Sequence, residues 1–471
     1  MPRLAKTVKW RDFSGGNVQR VSSDIIKPNS VPFSMNLLFE KELGEAMSRE
    51  GTSIVGSQLS SGNTCRGLYQ HLDTTFANSR LFAVFAGKVH DLTGSDEITG
   101  LTAANKCHFT TFLNTTLLLN GAQARAYDNS SGWAASSSNL SVDEVPSGAN
   151  FPIEWHDRIY AAVTDRLYYT STPSSGVVTW TGSGSGSLQV EREDGGGTIT
   201  GTSKVPGYLL IFKERSLKRW NFDSTFPDDL VNIGTQSHSS ITSGRGKTFF
   251  FYGPHGFYET NGGFPIRISR PIQRFIDAIP SSFYKHVSGW CDGENINWSV
   301  GDLTINFGRG YTESHSNVVL RYNIDTKQWA PLKYAHEFRF FNQYISSTDV
   351  KTVGGDTDGY VYEIDTGNND YNGQAITYIL QSPEMDFGSR GINKTVSERI
   401  FAYSDQAQSA ELQARLDYGE WSSIGNVKDI STDIKIKPLT AKVFEFRIVD
   451  STTGEQVKLK GIDLPNVFLQ E

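Results

Sequence analysis

Cysteine is scarce in this chain: Cys65, Cys107 and Cys291 are the only three in 471 residues. An odd, widely spaced set excludes a disulfide framework, and the lack of any Cys-x-x-Cys pair removes the usual zinc signature. Buried, reduced thiols made in a reducing cytosol are expected. No stretch approaches the ~18–20 apolar residues that span a bilayer. The opening MPRLAKTVKWRDF also lacks the apolar run of a secretion signal. No membrane segment is therefore expected. Excess positive charge is missing as well: the net charge is −7, which argues against nucleic-acid binding by bulk electrostatics.

Catalytic motifs are equally wanting. The chain has no Gly-x-Ser-x-Gly, no phosphate loop and no His-Glu-x-x-His. Its nine histidines are dispersed, and His255 falls in an expected turn. DTDGYVYEID (356–365) starts like a calcium loop, but Tyr360 stands where a further Asp or Asn is needed and the closing Glu is lacking. A hairpin turn accounts for it. KERSLKRW (213–220) would put Lys213, Arg215 and Arg219 in a small basic patch, which reads best as a solvated strand edge. No catalytic, cofactor or metal residue is assigned, and an enzyme is not expected.

What the chain does have is glycine, 45 residues of it, and an apolar set rich in Phe, Tyr, Trp, Val and Ile. These suit short pleated strands joined by tight turns. From about residue 65 to 370 one phrase returns: strand, turn, then a second strand with an aromatic, often followed by Asp and Gly. RLFAVFAGKVHDLTG (80–94), DRIYAAVTDRLYYTST (157–172) and KTFFFYGPHGFYETNGG (247–263) are examples. Each is a hairpin signal. Their spacing of roughly 40 residues is that of four-stranded propeller blades, about seven in all. Stacked β-sandwiches would also show frequent short strands, but the return of one phrase favours a propeller. ISRPIQRFIDAIPSSFY (268–284) predicts a short helix, with Ile272, Phe275, Ile276 and Ile279 on one face. After Asn369 the strands lengthen and read as an antiparallel β-sandwich. The expected fold is all-β: an extended N-terminal arm (1–62), a β-propeller (63–370) and a β-sandwich platform (371–471).

Two segments stand apart. TGSGSGSLQVEREDGGGTITG (181–201) carries Glu191, Glu193 and Asp194 between glycine-rich flanks. It reads as a long surface loop, or as a mobile loop facing a channel or a partner subunit. The first segment, Phe13 to Gly51, scatters its apolar residues among Gly15-Gly16, Pro28-Asn29, Pro32 and Gly44, so it cannot form a core alone.

That opening segment also carries a resemblance. Phe13-Ser14-Gly15-Gly16-Asn17, Ile26, Pro28-Asn29, Asn36, Gly44 and Arg49-x-Gly51 resemble the N-terminus of tail nozzle and hub proteins of short-tailed double-stranded DNA bacteriophages. Here the glycine-to-asparagine spacing is one residue shorter than usual. DGGGTITGTSKVPGYLLIFKERSLKRW (194–220), GTQSHSSITSGRGKTFFFYGPHGFYETNGGFPIRISRPI (234–272) and GGDTDGYVYEIDTG with ITYILQSPEMDFG continue the likeness in order, to about residue 390. The last hundred residues match only in general character.

The resemblance implies a propeller with a sandwich platform, assembled as a homo-oligomeric ring, commonly a hexamer, below the portal and adaptor. Such a ring retains packaged DNA and guides its ejection. It adjoins the adaptor protein and tail fibre, spike or needle proteins, and double-stranded DNA passes transiently through its lumen. No cofactor is implied. The protein would belong to the virion tail, and to the host cytoplasm during assembly. Phe13, Ile25, Ile26, Phe33, Leu37, Leu38 and Phe39 would then bury their side chains along the propeller or on a neighbouring subunit. A strand closing the chain's own propeller is the alternative use of the arm. Glu191, Glu193 and Asp194 are candidates for an acidic lumen, which would let phosphates slide past. The other functional class is a propeller that recognises a host-surface glycan or protein.

Overall fold

The structure, a computed structural model, describes residues 7–19, 26–27, 29–40, 44–73, 78–134, 139–190, 195–308, 311–346, 349–370, 373–388, 390–404, 410–428, 430–451, 457–465 and 467–469. It is all-β, built from many small antiparallel sheets. The first is three-stranded (Gly67–His71, Arg80–Phe85, Lys88–Asp91), with a lone bridge from Val89 to Ile98 beside it. Four-stranded sheets follow in chain order, beginning at Asn150–Trp155, Ile199–Val205, Thr242–Gly244 and Ser288–Cys291, after one whose inner strand is His108–Phe112. A last sheet takes Phe340–Ile345, Val350–Gly355 and Val361–Ile364, and is completed by Thr52–Ile54 from the other end of the chain. The leading strand of each sheet touches that of the next, and Phe340–Ile345 returns to Gly67–His71. The strands thus close a β-propeller-like cycle.

The aromatic runs have a simple cause. In Lys247–Tyr252, Phe249 and Phe251 face one core while Phe250 faces another. Leu209 and Ile211 diverge from Leu210 and Phe212 in the same way. Middle strands are covered on both faces by neighbouring sheets, so they read as unbroken apolar runs and not as alternation. The expected helix is present as Gln273–Ala278, with short 3-10 turns before and after it. Ile272, Phe275, Ile276 and Ile279 are all buried.

Two larger sheets form a second body. One joins Leu37–Phe39, Ala46–Ser48, Lys458–Leu464, Lys394–Ser404 and Ser431–Ala441, with Val8–Trp10 and Val467–Leu469 beside them. The other joins Phe33–Met35, Tyr378–Gln381, Phe444–Asp450, Ala410–Leu416 and Ser422–Val427. They share one core, including Val396, Ile400 and Ile462 from the first and Leu380, Leu412 and Phe446 from the second. The stretch expected as an extended arm therefore contributes strands to both of these sheets and to the last sheet of the ring. The expected boundary at residue 62 separates segments of sequence; in space, the five strands described between residues 8 and 54 belong to the bodies on either side.

Candidate functional site

The inner strands surround a central channel. Its wide opening is a cavity of about 570 Å³ lined by the later residues of those strands, among them Thr111, Glu154, Lys204, Ser243, Asn342 and Gln343. The charged residues in the lining, Lys204 and Glu154, pair with each other at 2.6 Å. The wall is otherwise hydroxyls, amides and rings, with Ile153, Ile241 and Cys291 among them.

Deeper in, aromatic rings gather. His108 and His238 meet edge to face at 4.5 Å, and Phe151 lies 5.0 and 4.9 Å from them. Burial holds both imidazoles neutral, pushing His238 down to about 3.

Exposed large apolar side chains surround the wide opening. In antiparallel sheets the first and third strands end on the same face. Leu72 follows a first strand and Val350 opens a second, while Val177, Phe222, Phe226 and Phe264 lie between third and fourth strands and Ile266 opens a fourth. Phe226 and Phe264 are 66% and 75% exposed, so nothing within the described chain covers them. Phe222 stacks on His156 at 4.7 Å. This face of the ring is apolar at its turn tips.

Two buried polar joints tie the ring to the two-sheet body. At the first, the fully buried Arg49 grips Asp370 through two bonds of 2.6 and 2.9 Å. It also donates to the Lys333 carbonyl at 2.6 Å and to Asn36 Oδ1 at 3.1 Å, and lies 4.1 Å over the Tyr334 ring. Asn36 takes a left-handed φ of 60° and reaches the Thr377 carbonyl at 2.7 Å while accepting from Lys333 N–H at 2.6 Å. Gly51 must be glycine here, because a Cβ would stand 1.8 Å from the Asn369 carbonyl oxygen. Asn17 donates to Ser34 Oγ at 2.6 Å nearby in the chain.

The second joint begins with a long hairpin, Asn295–Gly308 and Tyr311–Asn323, that outgrows its sheet. Its Glu313 meets Arg447, which also donates to Tyr311 Oη and Gln381 Oε1 at 3.1 Å each. Arg415 holds Glu445 through bonds of 2.8 and 2.7 Å, and both arginines lie over Trp421. Burial opposes the charge of Glu313. Hydrogen bonds from His315, Tyr311 and Arg447, with the charge of Arg447, outweigh it and hold the carboxyl down at about 2.

The candidate arm residues find their places within the chain. Phe13 and Leu37 are fully buried in the two-sheet core, and Phe39 packs half-buried against it. Phe33 is buried in the core beneath the helix, 6.2 Å from Phe275 and 5.1 Å from Phe307. Ile26 is half-buried. Ile25 lies outside the described residues, as do Glu191, Glu193 and Asp194. Just before that acidic stretch, Gly186–Gln189 forms a strand and not a loop.

The stretch read as a solvated strand edge is largely covered, and its basic residues part ways. Lys213 ends one strand fully buried, Arg215 sits in the turn, and Arg219 lies 5.0 Å over Tyr208. Sequence reasoning quoted Asn36, Arg49 and Gly51 without their task. It missed Asp370, Glu313 and Arg447, whose partners lie far away in the chain.

No protein family matches the sequence, and no curated protein does. Among solved structures, one described as the AfRom2 CNH domain is 12% identical with a TM-score of 0.40, covering 68% of this chain and 100% of that one. One described as U3-55K is 8% identical with a TM-score of 0.42 and the same coverage.

Proposed function

We propose that this chain is a structural virion protein of a short-tailed phage, a ring-forming nozzle or hub that retains packaged DNA and guides its ejection. In this reading the small sheets are the blades of a seven-bladed propeller, and the two-sheet body is a β-sandwich platform completed by the N-terminal arm. The joint at Arg49 carries the proposal. Asn36, Arg49 and Gly51, three positions of the phrase that resembles nozzle proteins, meet in one buried contact between ring, arm and platform. The phrase therefore specifies an architecture, which is what a scaffold protein needs, and no catalytic residue is assigned. In this reading the DNA runs along an axis between the subunits of the ring.

Mass photometry tests this directly. A discrete oligomer, formed alone or on adding the particle's portal and adaptor proteins, is expected. A ~52 kDa monomer indifferent to both would remove the proposal. The mass is that of the chain.

One observation favours a second reading. The exposed Phe222, Phe226 and Phe264 on the wide-mouth face suit a recognition module for a host glycan or protein. In the ring reading the same tips are covered by a neighbouring tail protein. Substituting all three with serine separates the two: loss of oligomer assembly supports the ring, whereas loss of host-surface binding by a stable monomer supports recognition.

A further inference from the structure

The mouth opposite the wide opening is cationic. Arg66 immediately precedes the inner strand Gly67–His71, Arg339 precedes Phe340–Ile345, and Lys106 stands two residues before His108–Phe112. Lys285 and His286 end the 3-10 turn that leads to Ser288–Cys291. The inner strands begin at a common mouth, so groups far apart in the chain converge there. Cys107 N–H donates to the Arg66 carbonyl at 2.7 Å. Lys106 Nζ donates to the Lys285 carbonyl at 2.7 Å and lies 3.4 Å from the hydroxyls of Ser237 and Ser239. It also sits 5.7 Å over the ring of Phe340.

Opposing charge is sparse. Glu337 pairs with Arg339, and Asp302 lies beside Glu337. Arg339 Nε and Nη1 remain buried without a hydrogen-bond partner. Among the described residues, Arg66 and Lys285 have no carboxylate partner. Behind the mouth is a cavity of about 150 Å³ bordered by His108, His238, Ser239 and Ser288. Ser288 Oγ and His238 Nδ1 are buried there and unpartnered.

We propose that this mouth binds an oxyanion of phosphate type, held by Arg66, Lys106, Lys285 and Arg339. Four cations converge around two carboxylates, Glu337 and Asp302, and charge-assisted hydrogen bonds to a phosphoryl group satisfy the Arg339 donors that the chain leaves open. The chemistry is shared by free phosphate and by the phosphodiester of a nucleic acid.

Proton linkage sharpens the site. Burial, then Arg339, Arg66 and Lys285, push Lys106 down to about 7. Burial and the same cations, with Lys106, lower His286 to about 4. His108 and His238, facing Lys106 from the channel, are kept neutral mainly by burial. An arriving anion raises Lys106 again, so binding takes up a proton near neutral pH and weakens as pH rises above it.

Isothermal titration of the full chain with inorganic phosphate, at constant ionic strength and in two buffers of different ionisation heat, tests the site. Saturable phosphate binding is expected, and with sulfate, whose charge is fixed near neutral pH, proton uptake at pH 7.5. The exposed substitution Lys285→Gln, alone and with Arg66→Gln, should weaken binding, about tenfold or more for the pair. Lys106→Met should abolish the proton uptake. Absence of saturable binding, or binding unchanged in the Arg66→Gln, Lys285→Gln pair with its melting temperature preserved, overturns the proposal. A short DNA duplex that displaces phosphate identifies the phosphodiester as the source; phosphate binding unaffected by duplex identifies a free oxyanion.

Discussion

The ring and the two-sheet body are both antiparallel β-structure, yet they are held together differently. In the ring each sheet is made mostly from one continuous stretch, and its side chains bury against the sheets before and after it. In the body, strands from residues 8–48 pair with strands from residues 378–469, and its contact with the ring adds buried ion pairs to an apolar seam at Phe33 and Met35. Local, apolar cohesion tolerates loss piece by piece, as in repeat proteins. A joint of paired charges is vulnerable at single atoms, because removing one partner leaves the other buried and unpaired.

The largest expected effect is therefore at Arg49. Arg49→Ala strands Asp370 and should cost about 3–5 kcal/mol. Calorimetry should show separate melting of ring and body where the parent melts more cooperatively. Arg49→Ala with Asp370→Asn should recover part of the loss. A single undivided transition in Arg49→Ala would erase the contrast between the two regions. Leu210→Ala, in the fully buried middle of a ring sheet, should cost about 2–5 kcal/mol by leaving a cavity. Its urea unfolding should show the loss within the ring and leave the body's transition in place.

Acid sharpens the comparison at the other joint. Glu313 has its carboxyl held down at about 2 from an ordinary value of 4.5. The stability it contributes is complete above that ordinary value and is lost as pH falls through about 2, a loss on the order of 2–3 kcal/mol. Glu313→Gln should flatten stability over that window, measured by urea titration at successive pH values. Smallest of all is Lys204→Ala at the wide opening. Lys204 is half exposed, so breaking its pair with Glu154 should change stability by less than about 1 kcal/mol.

The ring was legible in the sequence because its signals are local. Hairpin phrases such as KTFFFYGPHGFYETNGG and the Pro-bracketed helix need only neighbouring residues to be read. The N-terminal strands were not legible, since Phe33–Met35, Leu37–Phe39, Ala46–Ser48 and Thr52–Ile54 are three residues each, too short for a period. Their partners lie hundreds of residues away, and no local pattern announces them. Arg49 stood in a recognisable phrase, but its carboxylate, Asp370, carries no mark in its own surroundings. The cationic mouth was hidden for the same reason: Arg66, Lys106, Lys285 and Arg339 look solitary until one notices that each leads into an inner strand.

The pairing of Thr52–Ile54 with Val361–Ile364 also sets an order of events during synthesis. The closing strand leaves the ribosome before any other strand of the ring, and must wait until nearly the whole ring has followed it. Val8–Trp10 waits longer still, for Lys458–Leu464. A chain interrupted early can close neither body, and its waiting strands stay open to capture by chaperones or proteases. Synthesis as far as Lys458–Leu464 and closure of the fold thus become the same checkpoint.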